Sequence, residues 1–103
     1  MDRITALTDM LAQDPGNTLA RYGLAMEYKN RGEFENASRE FDSVLKVDPN
    51  YAAAYFHGGQ NFEQMGKIED ARGIYERGIA VTSKTGDAHT RAELQGALDL
   101  LPL

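Results

Sequence analysis

Apolar residues recur three and four positions apart along the chain. Leu7, Met10 and Leu11 form one such stripe; Leu24, Ala25 and Tyr28 form another. A third runs Phe34, Ala37, Phe41, Val44 and Leu45. A fourth runs Ala71, Ile74, Tyr75 and Ile79, and a fifth Leu94, Ala97, Leu98 and Leu101. This spacing lines one side of a helix, and no stretch alternates with the period of two that a half-buried strand needs. Ala and Leu together number 23 and Val and Ile together 7, which also favours helix. Asp14-Pro15-Gly16-Asn17 and Asp48-Pro49-Asn50-Tyr51 read as turns, because proline cannot continue a helix interior. The pattern predicts an all-α chain of about six helices, at 2–13, 17–31, 34–47, 51–65, 68–82 and 87–101.

The turns carry a second message. They lie 34 residues apart, as do Gly32 and Gly66, Ala37 and Ala71, Phe41 and Tyr75, and Tyr28 and Phe62. The windows Gly32–Phe41 and Gly66–Tyr75 share glycine, a charge, an apolar residue, Glu, Asn or Asp, Ala, and a closing aromatic. Matches of this density at one offset mark an internal repeat. Gly32 and Gly66 are expected to end the first helix of each unit in the left-handed conformation.

A 34-residue helix–turn–helix period with small residues in mid-helix and a closing proline resembles the tetratricopeptide repeat. The match covers 18–51 and 52–85. Leu24, Ala25 and Tyr28, then Ala37, Phe41 and Val44, occupy the signature positions of the first unit. Gly58, Gly59 and Phe62, then Ala71, Tyr75 and Gly78, occupy those of the second. The small residues let the paired helices approach closely. Arg21 and Tyr55 stand at the family's tryptophan position, Gly58 replaces a large apolar residue, and the second unit ends Thr82-Ser83 instead of Asp-Pro. With Gly73 and Gly78 in one helix, at about 1 kcal/mol each relative to Ala, the second unit is expected to be the looser. Residues 1–15 read as the second half of a repeat, since Leu7, Met10 and Asp14-Pro15 align with Phe41, Val44 and Asp48-Pro49. Residues 86–103 read as a capping helix, with surplus leucines at Leu100, Leu101 and Leu103.

The resemblance implies one domain over residues 1–103, a right-handed superhelical stack of hairpins whose first helices line a concave groove for a peptide or protein partner. Its groove positions fall on Tyr22, Met26, Lys29 and Asn30, then on Phe56, Gln60, Glu63 and Gln64 with His57 beside them. Leu19 and Ala53, at further groove positions, are expected to serve packing. The capping helix is expected to add Thr90, Arg91 and Leu94. Chaperone-tail binders of this family clamp a terminal carboxylate with Lys and Asn side chains, a Lys and an Arg from a third unit included. The matching positions here are Tyr22, Met26, His57, Asp87 and Arg91, of which only Arg91 fits. An acidic C-terminal tail is therefore not the expected ligand.

Charge and composition narrow the function. Eleven Lys and Arg stand against 16 Asp and Glu, a formal charge of −5, which disfavours a nucleic-acid or anionic-membrane surface. No apolar run approaches the roughly 18 residues of a membrane span, and the acids Asp2 and Asp9 do not suit a signal peptide, so a cytoplasmic location is expected. Cysteine is absent, which removes thiolate chemistry. His89 and Glu93, four apart, could share a metal only with a third ligand that the sequence does not offer. No nucleophile or phosphate-loop context appears. The expectation is a non-enzymatic adaptor without cofactors. The alternative is a self-assembly module that forms a homodimer or larger homo-oligomer through terminal hairpins or the leucine-rich end.

Overall fold

The computed structural model describes residues 2–103, and these form six helices: α1 (Arg3–Gln13), α2 (Thr18–Asn30), α3 (Phe34–Val47), α4 (Ala52–Gln64), α5 (Ile68–Thr85) and α6 (Ala88–Asp99). Local chemistry sets their ends. The Asn17 side chain caps α2 by accepting from the Ala20 amide at 3.0 Å. Gly32 and Gly66 take φ of +76° and +74°, as the repeat predicts. The next amides, of Glu33 and Lys67, each reach back 2.9 Å to the carbonyls of Tyr28 and Phe62. That is one closure used twice, and it satisfies carbonyls the helix leaves free.

α5 departs from expectation by running to Thr85 rather than stopping near residue 82. Thr82 and Ser83 donate their hydroxyls to the carbonyls of Gly78 and Ile79, at 2.8 and 2.7 Å. Mid-helix hydroxyls satisfied in this way do not break the helix. α5 ends instead at Gly86, with φ of +78°. α6 stops at Asp99, short of the expected 101, yet Leu101 is still buried beyond its end.

Each of α2 and α4 packs most extensively on the helix that follows it, α3 and α5. α2 also touches α4, and α4 touches α6, whereas no Cα of α3 comes within 8 Å of α5. The first helices are therefore drawn together along one side while α3 and α5 splay apart on the other. The core runs through the stack as Ala25, Ala37, Phe41, Val44, Ala54, Tyr55, Ala71, Tyr75 and Leu94, all at most 2% exposed. A second cluster of Leu7, Leu11, Ala20 and Leu24 joins α1 to α2. Each large side chain buried this fully stabilises the fold by roughly 1.5–3 kcal/mol.

Two glycines mark close approaches. A Cβ on Gly59 would lie 2.1 Å from Cε1 of Tyr75, and one on Gly78 would lie 2.6 Å from Cβ of Tyr55. Gly78 is thus required by packing, while a Cβ on Gly73 would meet nothing within 4 Å.

Candidate binding groove

Three cavities follow one another along the side where α2, α4 and α6 meet. The first, about 470 Å³, lies between α1 and α2 and is walled by Leu7, Met10, Leu19, Tyr22 and Met26, with Arg3 and Asn17 also lining it. The middle one, about 230 Å³, is polar and is lined by Lys29, Gln60, Glu63 and Gln64. The third, about 310 Å³, lies between α4 and α6, against Phe56, Gln60, Glu63, Tyr75, Glu93, Ala97 and Leu100.

Seven of the sequence-predicted groove residues thus border this line of cavities: Tyr22, Met26, Lys29, Phe56, Gln60, Glu63 and Gln64. His57 is half-buried between two of them, its ring 6.2 Å from that of Tyr22 and 5.2 Å from that of Phe56. Its Nδ1 is buried without a hydrogen-bond partner. Asn30 and Arg91 are exposed and border none of the three cavities. Tyr22 has a packing role as well, with its ring 6.2 Å from core Phe41 and 5.0 Å from Tyr51.

Other expectations need correction. Leu94 is fully buried, so it serves the core and not the groove. Leu19 is 71% exposed at the rim of the first cavity and so does not serve packing. Leu101 is buried, leaving Leu100 and Leu103 as the exposed leucines of the C-terminal segment. The residues that α6 offers to the third cavity are Glu93, Gly96, Ala97 and Leu100. Sequence reasoning missed them because α6 lacks the signature residues that fix its rotation. The surplus of leucines was the available signal for Leu100.

Burial, followed by the charge of Lys29, holds the His57 imidazole below the usual histidine range, with Gln60 and, less, Glu93 opposing. Burial also pushes the Tyr75 phenol up, helped by its hydrogen bond to Glu63. That hydroxyl donates to Oε2 of Glu63 at 2.5 Å, so a core tyrosine holds a carboxylate at the groove surface.

On the opposite side, between α3 and α5, lies a cleft of about 460 Å³ over Phe41, Leu45, Phe62 and Ile74. Gly58 and Gly73 line it. Gly58 stands where the first unit has Leu24, and Ile74 and Phe41 close on it, at 3.1 and 3.6 Å from where a Cβ would lie.

The tetratricopeptide repeat family model matches residues 4–57. A TPR repeat-containing protein of Pseudomonas aeruginosa is 31% identical over 88% of this chain and 87% of its own length. A Bordetella parapertussis protein solved in solution superposes with a TM-score of 0.84 at 30% identity, covering 96% of this chain and 86% of that one. The TPR2B domain of yeast Sti1, solved as a complex with pHsp70, superposes with a TM-score of 0.86 over 92% of this chain and 76% of that one. At 15% identity that last likeness is one of fold. The two 34-residue units, the paired helices with their glycine closures, and these matches agree: the chain belongs to the tetratricopeptide repeat family.

Proposed function

We propose that this protein is a non-enzymatic interaction module that holds an extended or helical segment of a partner protein in the α2–α4–α6 groove. The observation that carries the reading is the set of three cavities along α2, α4 and α6, with partly exposed Tyr22, Met26 and Phe56 beside amide and charged groups. Aromatic and methionine anchors next to polar groups are what a peptide-binding surface requires. The residues at the chaperone-clamp positions do not suit a terminal carboxylate, so an internal segment is the better ligand. The −5 charge disfavours nucleic acid and anionic membrane as partners. No helix among the described residues is long and apolar enough to cross a membrane.

A lysate pull-down read by mass spectrometry tests the groove. Met26→Asp plus Phe56→Ala should lose the captured partner, while Asp42→Lys on the opposite side should keep it. Tyr22 is left unchanged because it packs on Phe41. Partners that survive Met26→Asp plus Phe56→Ala would remove the groove reading.

A second reading, self-assembly, is favoured by the exposed leucines Leu100, at 87%, and Leu103. Light scattering decides it. A dimer that Leu100→Asp plus Leu103→Asp dissociates supports assembly, and a wild-type monomer at all concentrations counts against it.

A further inference from the structure

The α4–α6 cavity combines apolar walls with two carboxylates and no Lys or Arg in its own lining, Lys29 bordering the adjoining cavity with Glu63. Phe56, Ala97 and Leu100 form the walls, while Glu63 from α4 and Glu93 from α6 supply two carboxylates. Glu63 is fixed in place by the buried Tyr75 hydroxyl at 2.5 Å. Among the described residues, Glu93 pairs only with His89, at 3.4 Å, and that imidazole is 87% exposed. No Lys or Arg forms an ion pair with either carboxylate among the described residues. Elsewhere Arg3, Arg21, Arg31, Lys46 and Arg72 each have an acidic partner. The chain as a whole carries −5, so the field outside the cavity also favours a cation.

We infer that this end of the groove receives a lysine or arginine side chain of the bound partner segment, its alkyl stem on Phe56, Ala97 and Leu100 and its charged head at Glu63 and Glu93. The inference rests on the groove reading above. A long basic side chain matches both halves of the cavity, because its stem covers apolar surface while its head takes charge-assisted hydrogen bonds. A neutral or acidic residue there would desolvate two carboxylates without compensation. The first cavity, walled by Leu7, Met10, Leu19 and Met26, instead suits an apolar anchor. A cation site at one end and an apolar site at the other give the bound segment a fixed direction.

Selection from a random displayed-peptide library, run on wild type, Glu63→Gln plus Glu93→Gln, and Met26→Asp, tests this. Glutamine at 63 retains an oxygen for the Tyr75 hydroxyl. Exposed Glu93→Lys alone serves as a second variant should the change at 63 disturb the fold, which a circular-dichroism melt reads. Wild-type binders are expected to share a Lys or Arg at one aligned position. Their affinity should fall about tenfold or more in the Gln/Gln variant, fall to a similar degree in Glu93→Lys, and weaken with salt. Peptides that lose binding in Met26→Asp but share no cation, or that bind the Gln/Gln variant equally well, would overturn the proposal and leave the groove reading intact. If no selected peptide responds to Met26→Asp, the groove reading fails and takes this proposal with it. A wild-type oligomer that Glu93→Lys dissolves, with no library peptide competing, would assign the cavity to a second copy of the chain and likewise overturn the proposal.

Discussion

The α2/α3 and α4/α5 hairpins solve one packing problem with different residues. In the first, Arg21 donates to Glu40 at 3.0 Å and to the Pro15 carbonyl at 3.4 Å. One period later the same two positions hold Tyr55 and Ile74, both buried, and the Tyr55 hydroxyl donates to the Pro49 carbonyl at 2.6 Å. The carbonyl of the preceding proline is thus satisfied in both units, by a guanidinium in one and a phenol in the other. An ion pair in the first unit is replaced by apolar bulk in the second, an exchange that is often neutral in energy. Bulk is redistributed in the same way between helices. Leu24 and Ala25 become Gly58 and Gly59, and the freed space receives the ring of Tyr75. The repeat thus preserves filled volume and a satisfied turn carbonyl, while the residue type at each position is exchangeable.

The strongest way to break the comparison is Gly59→Ala. The first unit carries alanine at the matching Ala25, whereas here the new methyl meets the Tyr75 ring at 2.1 Å. Stability measured by denaturant unfolding should fall by about 1–3 kcal/mol. Gly73→Ala, in the same hairpin and facing open space, should instead gain up to about 1 kcal/mol. A smaller effect is expected from the turn carbonyl. Tyr55→Phe should cost about 1 kcal/mol in the same assay, since it removes only the tie to the Pro49 carbonyl. Arg21→Met should cost somewhat more, because it removes the Pro15 tie and also leaves Glu40 without its ion pair.

The smallest effect is that of pH. The His57 imidazole lies below its ordinary value of 6.5 in the folded chain, so the unfolded chain binds its proton first as pH falls. The contribution of His57 to stability is therefore complete above pH 6.5 and declines below it, down to the folded value. The melting temperature should drop between pH 7.5 and pH 5, and His57→Gln should flatten part of that slope.

Much of this architecture was legible in the sequence because the information lay in spacing. The 34-residue offset located both hairpins, and Gly32 and Gly66 announced their left-handed closures. The groove positions that the resemblance implies put seven residues along the cavities. What escaped it depended on contacts that spacing does not encode. Thr82 and Ser83 read as a stop, yet their hydroxyls turn back onto the helix and α5 continues. Gly78 read as a weak point, and its missing side chain is what admits Tyr55 and Leu94. α6 matched the repeat poorly, so its rotation could not be set from sequence. At its repeat position Leu94 therefore reads as outward, and nothing in the pattern marks Glu93, Ala97 and Leu100 as lining the third cavity.

The splaying of α3 from α5 has a mechanical consequence. The first helices touch along the groove, while the outer helices are separated by a cleft lined by Gly58 and Gly73. Bending that narrows this cleft and widens the groove brings no α3 backbone against α5, since no Cα of one lies within 8 Å of the other, and it closes instead on side chains such as Phe41 and Ile74. The hairpins are held to each other mainly through the seam between α3 and α4, and the room for movement lies on the face away from the groove.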